Sequence, residues 1–181
     1  MAATRPEPRA PQDDGAGEQL GGPLPAVLQP EDGVSFWRPR PTNGYVTVKT
    51  SPSYGGPAGI TMGTQVIPPG CYVAEHSHDR QVEILFCYEG RGRIEVDGVS
   101  HPFEPGTTVI AVPWLKHKII NCGSDDLKMT WTMVPPGLET FFRKIGRQRQ
   151  PGDPAPTPFE PPRQADDIQR ETGFGDLQPK R

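Results

Sequence analysis

The chain has 181 residues, enough for one domain, and a formal net charge of −3, too small for the basic footprint of a nucleic-acid binder or of a protein held on an anionic membrane. Only 33% of the residues are hydrophobic, while 24 are proline and 21 are glycine, so much of the chain is irregular. No apolar run approaches the ~20 residues of a membrane helix, the N-terminus lacks the apolar stretch of a secretory signal, and Cys71, Cys87 and Cys122 are too scattered for a disulfide framework or a zinc–thiolate site, which makes a cytoplasmic protein the expectation.

Residues 1–33 are rich in proline and glycine with scattered charges and almost no aromatics, a composition that cannot bury enough apolar surface to offset chain entropy. A disordered or extended N-terminal segment is expected there. From Val34 the character changes. Short β-branched and aromatic runs (YVTVKT, IEV, TTVIAV, KHKII, KMTWTMV) alternate with Gly/Pro turns, the pattern of an all-β sandwich or barrel. The domain is placed at residues 34–146.

Within it, R-I-E-V-D-G-V-S-H-P-F reads as a hairpin. Asp97-Gly98 supplies the positive φ angles of a two-residue turn, so Val96 pairs with Val99, and Ile94, Val96, Val99, His101 and Phe103 share a face. After Pro135-Pro136-Gly137, the residues Leu138, Phe141, Phe142 and Ile145 recur at i, i+3, i+4, i+7, one apolar stripe of a short helix over about 138–145. Gly146 stops it. Residues 147–181 form a Pro-rich C-terminal tail that lies along the domain, with D-D-I-Q-R-E-T-G-F as a last helical turn or two.

The chemistry concentrates in G-C-Y-V-A-E-H-S-H-D-R-Q-V-E, residues 70–83. On a strand His76 and His78 project to the same side, about 7 Å apart at their Cα atoms, so both rings can reach one ion. A His-x-His pair alone is more often two hydrogen-bonded residues on a half-buried strand. The longer spacing changes that. Gly70, His76, His78, Glu83 and Gly90 match the first motif of the cupin superfamily at every defined position, and Gly106, Pro113, His117 and Asn121 resemble its second motif. One departure is the absence of a glycine after Pro113, where Trp114, Leu115 and Lys116 fill the turn. The resemblance covers about residues 60–134.

That resemblance implies a cupin-type double-stranded β-helix, a jelly-roll barrel of two antiparallel sheets, with a divalent metal in its lumen. Carried over by position, the ligands are His76, His78, Glu83 and His117. Three imidazoles and one carboxylate suit Fe(II), which is favoured, or Mn(II), Ni(II), Co(II), Cu(II) or Zn(II). Taking the ligands as inward, strand alternation adds Tyr72, Leu85, Cys87, Ile119 and Asn121 as lining of a substrate pocket, with Tyr72 the best polar contact. His101 fits no ligand position and is expected to pack or to make a supporting hydrogen bond. Ile84, Phe86 and Tyr88 fall on the opposite face, which cupins commonly cover by forming a homodimer.

For function, the resemblance implies a mononuclear Fe(II) dioxygenase acting on a small chelating substrate (a diketone, hydroxyketone or phenolic), with Glu83 staying bound or loosening to act as a catalytic base. The same ligands serve a non-redox isomerase, lyase or cyclase that uses the metal as Lewis acid. A third reading is a non-catalytic metal- or small-molecule-binding cupin. It is weakened by Pro-rich flanks too short of helical pattern for an attached helix-turn-helix domain.

Overall fold

The computed structural model describes residues 27–177. The short apolar runs become β1 (Val34–Trp37), β2 (Tyr45–Thr50), β3 (Thr61–Ile67), β4 (Tyr72–His78), β5 (Val82–Glu89), β6 (Gly92–Val96), β7 (Val99–Phe103), β8 (Thr108–Ala111), β9 (His117–Ile120) and β10 (Leu127–Val134). They are followed by α1 (Leu138–Ile145), β11 (Arg147–Arg149), α2 (Ala165–Thr172) and β12 (Phe174–Gly175). One sheet runs β11-β1-β2-β3-β10-β5-β8 and the other β12-β4-β9-β6-β7. The pairings are antiparallel throughout. This is the all-β architecture expected of the strand spacing, in the double-stranded β-helix form that the resemblance implies.

β10 makes the logic of the barrel explicit. Leu127, Met129, Trp131 and Met133 alternate with Lys128, Thr130 and Thr132, and each of the four apolar side chains is at most 1% exposed. Strand alternation therefore drives one face into the space between the sheets, where Leu85, Ile94, Phe103 and Ile119 meet it. Each such side chain contributes about 1.5–3 kcal/mol on leaving water. Gly63, opposite Trp131 on β3, is required by the large indole: a Cβ there would lie 2.4 Å from the ring.

The β6–β7 hairpin forms with Val96 opposite Val99 and with Asp97 and Gly98 at φ 46° and 81°. Ile94 and Phe103 are buried. His101, paired with Ile94 across the hairpin, is exposed instead. The expected packing or supporting role for this histidine is not what the structure has. The hairpin turn also braces the site described below, since Asp97 N–H donates to Lys116 O at 2.9 Å and Asp97 Oδ1 accepts from Lys116 N–H at 3.1 Å.

α1 spans the residues the stripe defines, and Leu138, Phe141, Phe142 and Ile145 are all buried. It packs over one mouth of the barrel with Phe142 5.2 Å from Trp131. The segment read as a tail is built into the domain more tightly than its composition implied. Residues 147–149 extend the larger sheet beside β1, and residues 174–175 extend the smaller one beside β4. Of the N-terminal segment, residues 1–26 lie outside the described residues. The stretch just before β1 is fastened by Lys49, whose Nζ donates to the carbonyls of Gln29, Pro30 and Asp32 at 2.6–2.7 Å. Among the described residues no helix is long and apolar enough to cross a membrane.

Candidate metal centre

β4 carries two histidines and a defect. Val73 pairs with Ile119, but the next pairing is His76 with His117, so three steps on β4 oppose two on β9. This bulge resets the alternation. Val73, His76 and His78 face inward, while Tyr72 faces out, 37% exposed beneath Lys118 Nζ, which stands 5.2 Å from its ring. Tyr72 is therefore not a pocket residue. The bulge has a use, however. Ala74 O accepts from His76 Nδ1–H at 2.8 Å, which leaves Nε2 with its lone pair for a ligand.

Glu83 comes from β5 and His117 from the first position of β9. Leu115 O accepts from His117 Nδ1–H at 3.1 Å, a second imidazole fixed by a backbone carbonyl. Glu83 Oε2 then lies 2.9 Å from His117 Nε2 and 3.1 Å from His78 Nε2. Potential ligand atoms of His76, His78, Glu83 and His117 all fall within 4.8 Å of one another, and none of the four residues is more than 4% exposed. Trp114 closes the turn before His117 with φ 70°, the left-handed conformation that costs an ordinary residue about 1–2 kcal/mol. Its N–H donates to His78 O at 2.7 Å, so the turn without a glycine still ties the two histidine-bearing strands together.

Burial and crowding set the charges. Desolvation, then the neighbouring His117 and His78, hold His76 well below the usual imidazole range. Burial works to raise Glu83, but hydrogen bonds from His117 and His78 outweigh it and keep the carboxylate well below its usual range. For His117 burial pulls down, and the hydrogen bond and charge of Glu83 overcome it to raise the imidazole. Among the described residues, buried His78 Nδ1 has no hydrogen-bond partner. Three imidazoles with ring centroids 4.1–5.6 Å apart cannot all be cationic in a buried cluster. A divalent cation satisfies this arrangement, and the nitrogen/oxygen donor set fits a first-row transition metal. These four residues can hold a divalent metal ion.

The remaining expected pocket residues are elsewhere. Leu85, Cys87 and Ile119 belong to the apolar core, where burial pushes the Cys87 thiol up. Asn121 organises a loop: its Nδ2 donates to Ile67 O and Asp125 O at 2.7 and 2.8 Å, and its Oδ1 accepts from Gly123 N–H. A cavity of about 330 Å³ opens instead beside His76, lined by Arg38, Val73, Phe141, Phe174 and neighbours. Phe174 lies 4.4 Å from the His76 ring and 5.3 Å from that of His78, a lid over both. Arg38 and Phe174 were missed as site residues. Arg38 shares strand parity with the core residue Phe36, a signal present in V-S-F-W-R, whereas nothing local to G-F at 173–174 points to β4.

The family model for the cupin domain matches residues 63–133. Among curated proteins, the chain is 25% identical over 96 residues to Protein SchB of Streptomyces halstedii, covering 53% of this chain and 70% of that protein. It is 26% identical over 89 residues to the polyketide synthase CurC of Streptomyces cyaneus, covering 49% of this chain and 57% of that one. Among solved structures, a conserved protein with a double-stranded β-helix domain from Klebsiella pneumoniae superposes with a TM-score of 0.51 at 16% identity, over 61% of this chain and 90% of the other. That likeness establishes the fold.

Proposed function

Because this chain carries a cupin domain and is a member of that superfamily, we propose that it is a metal-dependent enzyme, a mononuclear Fe(II) dioxygenase acting on a small chelating diketone, hydroxyketone or phenolic. The observation that carries the reading is the convergence of His76, His78, Glu83 and His117 within 4.8 Å in the barrel interior. A divalent ion bound there supplies a Lewis-acidic centre, and a redox-active one if it is iron. The protein supplies the rest. Ala74 O and Leu115 O fix two imidazoles in the tautomer that ligates. Glu83 is the fourth donor, staying bound or loosening to act as the base for a substrate proton. Phe174 and Phe141, with ring centroids 4.0 Å apart, give the cavity beside His76 an apolar wall.

A second reading has its own support. The Streptomyces cyaneus relative is named a polyketide synthase, and polyketide chains are built of alternating carbonyls, the diketone class. Closing such a chain requires no oxidant, which favours a Lewis-acid cyclase or lyase using the same ligands.

The test is elemental analysis of the purified protein, followed by oxygen uptake with a panel of diketones, hydroxyketones and catechols. We expect about one ion per chain, and loss of both metal and turnover in Glu83→Ala with the fold retained by circular dichroism. Turnover that persists under strict anaerobiosis selects the non-redox reading. A Glu83→Ala protein that keeps its metal and merely unfolds earlier overturns both.

A further inference from the structure

Arg38 is 5% exposed, yet its Nε has no hydrogen-bond partner, and among the described residues no carboxylate pairs with its guanidinium. Burying an unpaired cation is among the costliest things a fold does. The group sits over the rings of Phe142 and Phe141, with Cζ 4.6 and 5.4 Å from their centroids, which offsets only part of that cost. Burial lowers its pKa to about 9, so it stays charged at neutral pH. Arg38 follows β1 with its N–H bonded to Gly44 O at 3.0 Å, which holds the backbone in register and sends the side chain inward with Phe36.

The same cavity of about 330 Å³ touches both Arg38 and His76, with Val73, Phe141 and Ile145 as apolar wall. That volume lies at the small end of ligand pockets. The acidic side chains at its rim do not neutralise the arginine: Glu75 and Asp176 both engage Lys116, at 3.8 and 3.0 Å, and Asp166 is exposed on α2. Arg40 on the opposite rim faces Glu160 at 3.6 Å. A guanidinium whose Nε is unpaired and that meets no carboxylate among the described residues, at the wall of this cavity, is the complement of a carboxylate.

We propose that this cavity is a carboxylate-binding site, in which Arg38 takes the acid group of a small, partly apolar or aromatic acid and places its other end against His76. This deepens the reading above, on which the identity of the reaction rests, by adding an acid function to the substrate. The binding itself is separable from the chemistry.

The experiment is calorimetric titration of the full-length protein with benzoate and with its neutral counterpart benzamide, using wild type, Arg38→Lys and Arg38→Met, each metal-free and metal-loaded. Wild type prefers benzoate at least tenfold. Arg38→Met abolishes the preference, and Arg38→Lys, which keeps charge without the fork, falls between. The ligand-free Arg38→Met protein melts at a higher temperature than wild type, because an unpaired buried charge has been removed. No benzoate preference in wild type, an unchanged preference in Arg38→Met, or a lower melting temperature for that variant overturns the proposal. The last outcome assigns Arg38 to holding α1. Metal content measured on the same samples reports on the catalytic reading independently: absent metal with an Arg38-dependent benzoate preference sinks that reading and leaves this one standing.

Discussion

Glu83 Oε2 is buried within 3.1 Å of two imidazole nitrogens, and this fixes how the metal-free protein responds to pH. Glu83 titrates well below 4.5 in the fold, so its contribution is complete above 4.5 and is lost as pH falls through the depressed value. His117 titrates above 6.5, so its contribution is complete below 6.5 and is lost as pH rises through the raised value. The pair is therefore worth most between those two limits. We expect metal-free Glu83→Gln to be less stable than wild type by about 1–3 kcal/mol in that window, with the gap narrowing on both sides. Urea denaturation across the pH range measures it. His76, held below 6.5 chiefly by burial and by the neighbouring imidazoles, is partly supported by the Glu83 charge, so its destabilisation of the fold below pH 6.5 is larger in Glu83→Gln and adds to the gap there.

At the scale of elements, α1 closes the barrel mouth through the apolar stripe that its spacing made plain. Phe142 is 1% exposed and wedged between Trp131 and Arg38. Phe142→Ala should cost about 3–5 kcal/mol, read from denaturant midpoints at unchanged slope. This helix, the Asp97-Gly98 hairpin and the four converging side chains were all legible in the sequence because each rests on local periodicity, turn chemistry or a spaced motif. Tyr72 was misplaced for a definite reason: period-two counting assumes an unbroken ladder, and the extra residue in β4 before His76 inverts everything upstream. Asn121 was misplaced because alternation was carried past the end of β9 into a loop, where the side chain answers to backbone carbonyls instead. Phe174 and Arg38 were invisible as site residues. The parity of Arg38 with Phe36 marks it as inward, but its meeting with His76 and the docking of Phe174 on β4 depend on contacts between distant chain segments that no local pattern encodes.

At the scale of the whole molecule, the outer face of β5 and β8 is an apolar surface that carries no partner among the described residues. Ile84, Phe86 and Tyr88 are each 40% exposed, and Ile110, paired with Ile84 across the strands, is 61% exposed. An apolar patch of this kind on a sheet face is an association surface, and we propose that two copies of the chain meet there. Light scattering at micromolar concentration should give twice the chain mass, and Ile84→Lys with Phe86→Glu should give a folded single chain. A single-chain mass for the wild type overturns the assignment. The lid over the histidines has a different consequence, one of timing. On the ribosome the chain appears N-terminus first, so the two imidazoles of β4, the carboxylate and His117 have all been synthesised before Phe174 exists. Until residues 174–175 pair with β4, the two imidazoles of that strand lack their phenyl cover, so the last strand to be made is also the one that closes over the donors.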